Sequence, residues 1–417
     1  MTRPSRPPAP TSIEDDMRQC RKAISRILRV AAVLAVMLAA ALTAGPPAAG
    51  SSAAGPSAAG SSAAGPLPVT ASAEAALPWQ WGYAYVRSSS VVDGAHQGGS
   101  WPFGLKVEAS PGGPGQVFVK FPQIGIASGG VAHVTAVSRS ADWCQVQEWR
   151  QSGADEIVAV QCHRHGGTPV FTPFSVVFGH STEVLRAPAA FGYVHWNGSA
   201  VAGQFNSSAP GAANSVVASS SPGTWQATLP GLGSAGYAGN IQVTAVDPAV
   251  PARCKLSGWN STAAEQRIVV RCHDAADMPL DTGWSLTYHR ERAVVATFPQ
   301  YRFAYTFHNE PGRGGGYRPA PAAVSHNSRG SGVRIDHVGT GRVNVLFNEV
   351  TGGYRDNVQV TAFGYGPEFC NLYTPWESYP TTYPSYVNIR YVTCYNGTTQ
   401  VDHPSMVTYV SASSSSS

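Results

Sequence analysis

The run VTAVSRSADWCQVQEW, residues 134–149, returns twice: as VTAVDPAVPARCKLSGW from Val243 to Trp259, and as VTAFGYGPEFCNLYTPW from Val360 to Trp376. Each return is followed by a β-branched run that ends on a second cysteine, IVAVQC at Cys162, IVVRC at Cys272 and VNIRYVTC at Cys394. Aromatic runs bracket each copy, GYAYV, GYVHW and RFAYT in front and FSVVF, WSLTY and SMVTY behind, so the repeat period is about 110 residues.

Within a copy, QVFVKF, VAHVTAV and EIVAV are short, alternating and rich in β-branched residues, and clusters of Gly, Pro, Asn and Ser separate them. Such runs are strands. No amphipathic helical stretch follows the N-terminal leader, so the fold class is all-β, with three tandem antiparallel β-sandwiches of the immunoglobulin-like kind.

The cysteines sharpen that expectation. Seven are present, and Cys20 lies in the leader, which leaves an even set of six. In a hairpin turning near Gly153, Cys144 and Cys162 fall opposite each other. The same reasoning pairs Cys254 with Cys272 and Cys370 with Cys394. Two residues past the first cysteine stands Val146, Leu256 or Leu372, on the cysteine's own face and therefore in the core. The tryptophans Trp149, Trp259 and Trp376 lie at the hairpin tips and are expected to cover a sandwich end.

Composition limits where and on what the protein works. The first 29 residues hold seven basic and three acidic side chains, which leaves 21 of each sign in the remainder and argues against nucleic acid as a partner. The apolar run AAVLAVMLAAALTAG that follows is too short to span a bilayer and reads as a signal peptide. The expected organisation is a signal peptide over 1–44, a flexible Ala/Gly/Ser/Pro linker over 45–78, repeats over 79–186, 187–297 and 298–411, and a Ser-rich tail over 412–417. The mature protein is expected outside the cell, without a membrane anchor.

The pattern resembles a group of secreted bacterial proteins built from tandem VTA, Cys, Trp, Cys units, and the likeness runs from about residue 79 to residue 411. No activity is assigned to that group, so the resemblance implies the fold and no chemistry.

Motifs for chemistry are scarce. The chain has no G-x-S-x-G, H-E-x-x-H, phosphate loop or calcium loop, and no cofactor is expected. His163 and His165 share one face of an extended segment, but copy two offers His273 and Asp274 and copy three Tyr395, so exposed strand-end residues are expected rather than a metal site. Glu148, Asp155 and Glu156 cluster at the first hairpin tip, where ordinary solvated carboxylates are expected. Arg313, Arg318, Arg329, Arg334 and Arg342 gather in copy three with Asp336 the only acid among them, a pattern suited to an anionic polymer.

The third hairpin differs from the others. Its cysteines enclose 23 residues against 17 in each other copy, and the gain is aromatic: Tyr373, Trp376, Tyr379, Tyr383 and Tyr386, stiffened by Pro375, Pro380 and Pro384. These five rings are the candidate ligand-binding residues, for a cell-wall or extracellular glycan or for a secreted or surface protein. The leading expectation is thus a secreted, non-catalytic, carbohydrate- or protein-binding molecule. The alternatives are an extracellular glycan hydrolase, and a structural spacer whose rings all plug the sandwich end.

Overall fold

In the computed structural model, which describes residues 79–295, 302–353 and 355–412, the alternating runs are strands and no α-helix forms. The stretches read as signal peptide and linker, and the end of the Ser-rich tail, lie outside the described residues.

Each repeat builds the same pair of antiparallel sheets. In one, the opening strand (Trp79–Ser88, Ala190–Trp196 or Arg302–His308) pairs with the closing strand (Phe174–Ser181, Gly283–Arg290 or Ser405–Ser411). The closing strand pairs in turn with the VTA strand (Val131–Ala136, Asn240–Val246 or Asp356–Ala362). The other sheet holds the cysteine hairpin, formed by Asp142–Ser152 with Asp155–Arg164, by Ala252–Ser261 with Glu265–Asp274, and by Phe369–Leu372 with Tyr386–Asn396. In the first hairpin the turn runs through Gly153 at φ 63°, a conformation that glycine adopts without steric cost.

Burial follows the period of two. Along Gln116–Phe121, residues Val117, Val119 and Phe121 are fully buried while their neighbours are half-buried, as a sandwich strand requires. The cysteines are direct cross-strand partners with Cα separations of 4.0 Å, and all three disulfides form: Cys144–Cys162, Cys254–Cys272 and Cys370–Cys394. Val146, Leu256 and Leu372 are fully buried beside them. Three disulfides suit an oxidising compartment. No described helix is long and apolar enough to cross a membrane.

The VTA strands are buried on both faces, so alternation alone does not account for them. Val134 and its counterparts face their own core, and the residues between them face the neighbouring repeats. Thr135 accepts a hydrogen bond from the Val360 N–H at 2.9 Å, and Thr361 accepts one from Val243 at 3.0 Å. Thr244 accepts one from Val134 at 3.4 Å, which closes a circle of three. The repeats fall in one compact unit.

A second circle runs through the residue after the first cysteine. Gln145 donates to the carbonyls of Asp247 and Val250, and Lys255 binds the carbonyl and carboxylate of Glu368. Asn371 returns to the carbonyls of Ser140 and Asp142. Parallel bridges follow the same order, Val146 with Val246, Leu256 with Phe363 and Leu372 with Val137. The three sandwiches therefore close into a ring with pseudo-threefold symmetry.

Candidate functional site: a tyrosine face on the third repeat

In Tyr386–Asn396, the side chains of Val387 and Ile389 point into the core and are fully buried, which turns Tyr386, Asn388 and Arg390 outward. After Trp376 the third hairpin forms the short strand Glu377–Tyr379, which pairs with this strand and sets Tyr379 opposite Tyr386. Their rings stack with centroids 4.6 Å apart. Glu377 sits between neighbours: it accepts from the Tyr379 hydroxyl at 2.6 Å and from Arg390 at 3.2 Å. The bond from Tyr379 to Glu377 holds that hydroxyl above its usual pKa.

Further along, Tyr373 meets Tyr391 edge to face at 5.6 Å. The guanidinium of Arg139, from the first repeat, lies 5.4 Å from the Tyr373 ring, and those of Arg342 and Arg390 lie 5.7 Å and 5.9 Å from Tyr391. Tyr383, at the loop tip, is wholly exposed. Four of the five candidate rings thus reach the surface.

Trp376 does not. It is 2% exposed, its indole N–H donates to Asp356 at 2.8 Å, and its ring packs against Tyr85 and His96 of the first repeat. Asp356 is fully buried and also accepts from Ser378 and Tyr409, with His96 Nδ1 at 2.6 Å. Burial pulls the His96 pKa down, but the bond to Asp356 and the charges of Asp356 and Asp93 together outweigh it and leave the imidazole raised. Trp376 is therefore a plug at the seam between the third and first repeats. Trp149 has a related place against His195 of the second repeat, 4.3 Å between centroids.

The first hairpin tip departs from the expectation of solvated carboxylates. Glu156 is fully buried: one oxygen accepts the Ile126 N–H at 3.0 Å, the other has no partner, and burial pushes the pKa up to about 7. Alternation along its strand with fully buried Val158 and Val160 turns it inward, although its cross-strand partner Gln151 is exposed. Glu148, two residues after buried Val146 but paired with Ala159 across a bulge, faces the other way. Both acids nevertheless line one open cavity of about 740 Å³, together with Trp149 and His195.

Of the two histidines, His163 is absorbed by packing, while His165 is half-buried and lines an open cavity. His163 stacks on Trp143 at 5.5 Å and faces the Gly167 carbonyl, so its ring serves the ring axis instead of the surface expected for it. At that axis Arg253 is sandwiched between Trp143 and Phe369, at 4.5 Å and 4.7 Å, the three residues that precede the first cysteine in each copy. A cavity of about 50 Å³ beside them holds a few waters at most.

The arginine cluster expected in copy three is largely dispersed into local pairs. Arg313 binds Glu310 at 3.0 Å and Arg334 binds Asp336 at 2.7 Å. Arg342 alone of the five joins the tyrosines. Sequence reasoning missed Tyr391, Arg390 and Arg139. A bulge opposite Asn344 turns both Arg390 and Tyr391 outward and shifts the parity counted back from Cys394. Arg139 arrives from another repeat, more than 200 residues away.

No known protein family, no curated protein and no solved structure matches the chain.

Proposed function

We propose that the chain is an exported, non-catalytic binding protein that takes a glycan on the tyrosine face of its third repeat. The observation that carries this reading is the stacked pair Tyr379 and Tyr386 on an outward sheet face, ringed by Glu377, Asn388 and Arg390. Flat rings with polar edges cover the apolar side of a sugar, and planar amide, carboxylate and guanidinium groups hydrogen-bond its hydroxyls. A disulfide and the sheet hold these groups in place before the ligand arrives, which limits the entropy lost on binding.

Export is supported by the basic and apolar leader together with the three disulfides. The VTAV, VTAV and VTAF runs and the three cysteine pairs support membership of the group of tandem-unit secreted proteins. Glycan arrays and wall pull-downs test the reading: Tyr379→Ala with Tyr386→Ala abolishes retention, and retention equal to wild type rejects the face as the site. Glu156 favours the hydrolase alternative, because a buried carboxyl with a raised pKa suits a general acid. Products released from wall polysaccharide by wild type and not by Glu156→Gln would establish it.

A further inference from the structure

The tyrosine face does not end at the third repeat. Tyr373 is covered by Arg139, and the Tyr395 hydroxyl donates to the Arg139 carbonyl at 3.3 Å. Beyond them an open cavity of about 720 Å³ lies along the seam between the third and first repeats, lined by Arg139, Arg164, His165, Tyr395 and Gln400 with Asp142. Tyr391, Tyr373 and Arg139 thus form a continuous strip from the stacked tyrosines into this cavity.

Its charges are unbalanced. Arg139, Arg164 and Arg342 make no ion pair among the described residues, whereas Arg390, Arg334 and Arg313 each have one. The cavity's acid, Asp142, is buried; the hydroxyls of Ser138 and Thr172 both donate to its Oδ2, its Oδ1 is without a partner, and one carboxylate stands against the three arginines. Arg342 Nε is buried without a hydrogen-bond partner, and a buried donor left open costs free energy until something fills it. Outside the leader the chain has equal numbers of basic and acidic residues, so this excess is local to the strip.

We infer that the ligand of the tyrosine face is an acidic glycan, whose sugar rings lie on Tyr379, Tyr386 and Tyr391 and whose carboxylate or phosphate groups seat on Arg342, Arg139 and Arg164 across the seam. This rests on the glycan reading above. The arginine fork matches the geometry of both anions. Nucleic acid fits less well, because outside the leader basic and acidic residues are equal in number, whereas a phosphodiester backbone calls for an extended excess of positive charge.

The test uses the full chain against four immobilised polymers: polygalacturonate for carboxylate, poly(glycerol phosphate) for phosphate, dextran as the neutral glycan, and single-stranded DNA. The expected result is retention of one or both acidic polymers at least tenfold tighter than dextran, weakening as salt rises. Arg139→Gln with Arg164→Gln, both at exposed positions, lowers that retention about tenfold while circular dichroism stays unchanged. Equal binding of dextran and the acidic polymers, or a double variant that binds like wild type, overturns the acidic class and leaves the glycan reading standing. DNA held tightest overturns the inference in favour of nucleic acid. Retention of none of the four removes the inference and the reading beneath it together.

Discussion

At the position before Val of the VTA motif the three copies carry His133, Gln242 and Gln359, and each side chain is buried at a contact between repeats. Gln359 accepts from Thr135 at 2.9 Å and donates to Asn357, and Gln242 accepts from Thr361 at 2.9 Å and donates to Asn240. His133 spans Thr244 and Thr287 at 3.1 Å and 2.8 Å instead. A glutamine serves the same place without titrating. Burial pushes His133 down to about 3, aided by nearby His289, which burial itself holds at about 4. A histidine depressed in the folded state binds its proton more readily when unfolded, so its contribution is complete above pH 6.5 and is lost as pH falls toward the folded value. Between pH 7 and pH 4.5 that loss is roughly 2 to 3 kcal/mol for His133. His133→Gln is expected to recover that amount: urea midpoints at the two pH values should lie closer together than in wild type, and an unchanged gap would show that His133 is not the acid-labile contact.

The third hairpin separates stability from binding within one element. Trp376 fills the seam against Tyr85 and His96, so Trp376→Ala should cost about 3 to 5 kcal/mol, read as a fall in the urea midpoint. Tyr383→Ala removes a wholly exposed ring and should leave that midpoint within about 0.5 kcal/mol. The sequence carried enough to divide loop from core up to a point. Cysteine spacing repeated in three copies gave the hairpins and their pairing, and period two placed Val146, Leu256 and Leu372 inside. It could not assign the five loop rings to sides, because the loop bends from Leu372 to Glu377 and the partner strand carries a bulge at Arg390 and Tyr391, so the count of two is broken on both strands. Glu156 escaped for a different reason: the count of two from Val158 and Val160 puts it inside, and its nearness to the turn at Gly153 pointed the other way.

Three repeats read along the chain suggest three beads, yet each core borrows from its neighbour. The first repeat's core takes in Val246, the second's takes in Val324 and Met406, and the third's takes in Tyr85 and Val137. Nothing in the repeat pattern announces this, because the clasping position after the first cysteine is filled by Gln145, Lys255 and Asn371, three residue types with only hydrogen-bonding capacity in common. A closed ring has a consequence that beads lack: loosening one junction strips cover from the cores on both sides of it, and those cores support the other junctions. Lys255 is buried with Glu368 at 3.1 Å, so Lys255→Met leaves that half-buried carboxylate with only His403 at 3.8 Å and Asn396 at 3.5 Å and should cost about 1 to 3 kcal/mol. Asn371→Ala opens a different junction and should cost about 1 to 2 kcal/mol through the two carbonyls it leaves unpaired. In scanning calorimetry the wild-type chain should unfold in one transition with equal calorimetric and van't Hoff enthalpies, and each substitution should lower that same transition without splitting it. Independent sandwiches would behave otherwise, giving a separate peak for the wounded repeat while the others kept their wild-type midpoint, and that outcome would refute closure of the ring as the basis of stability.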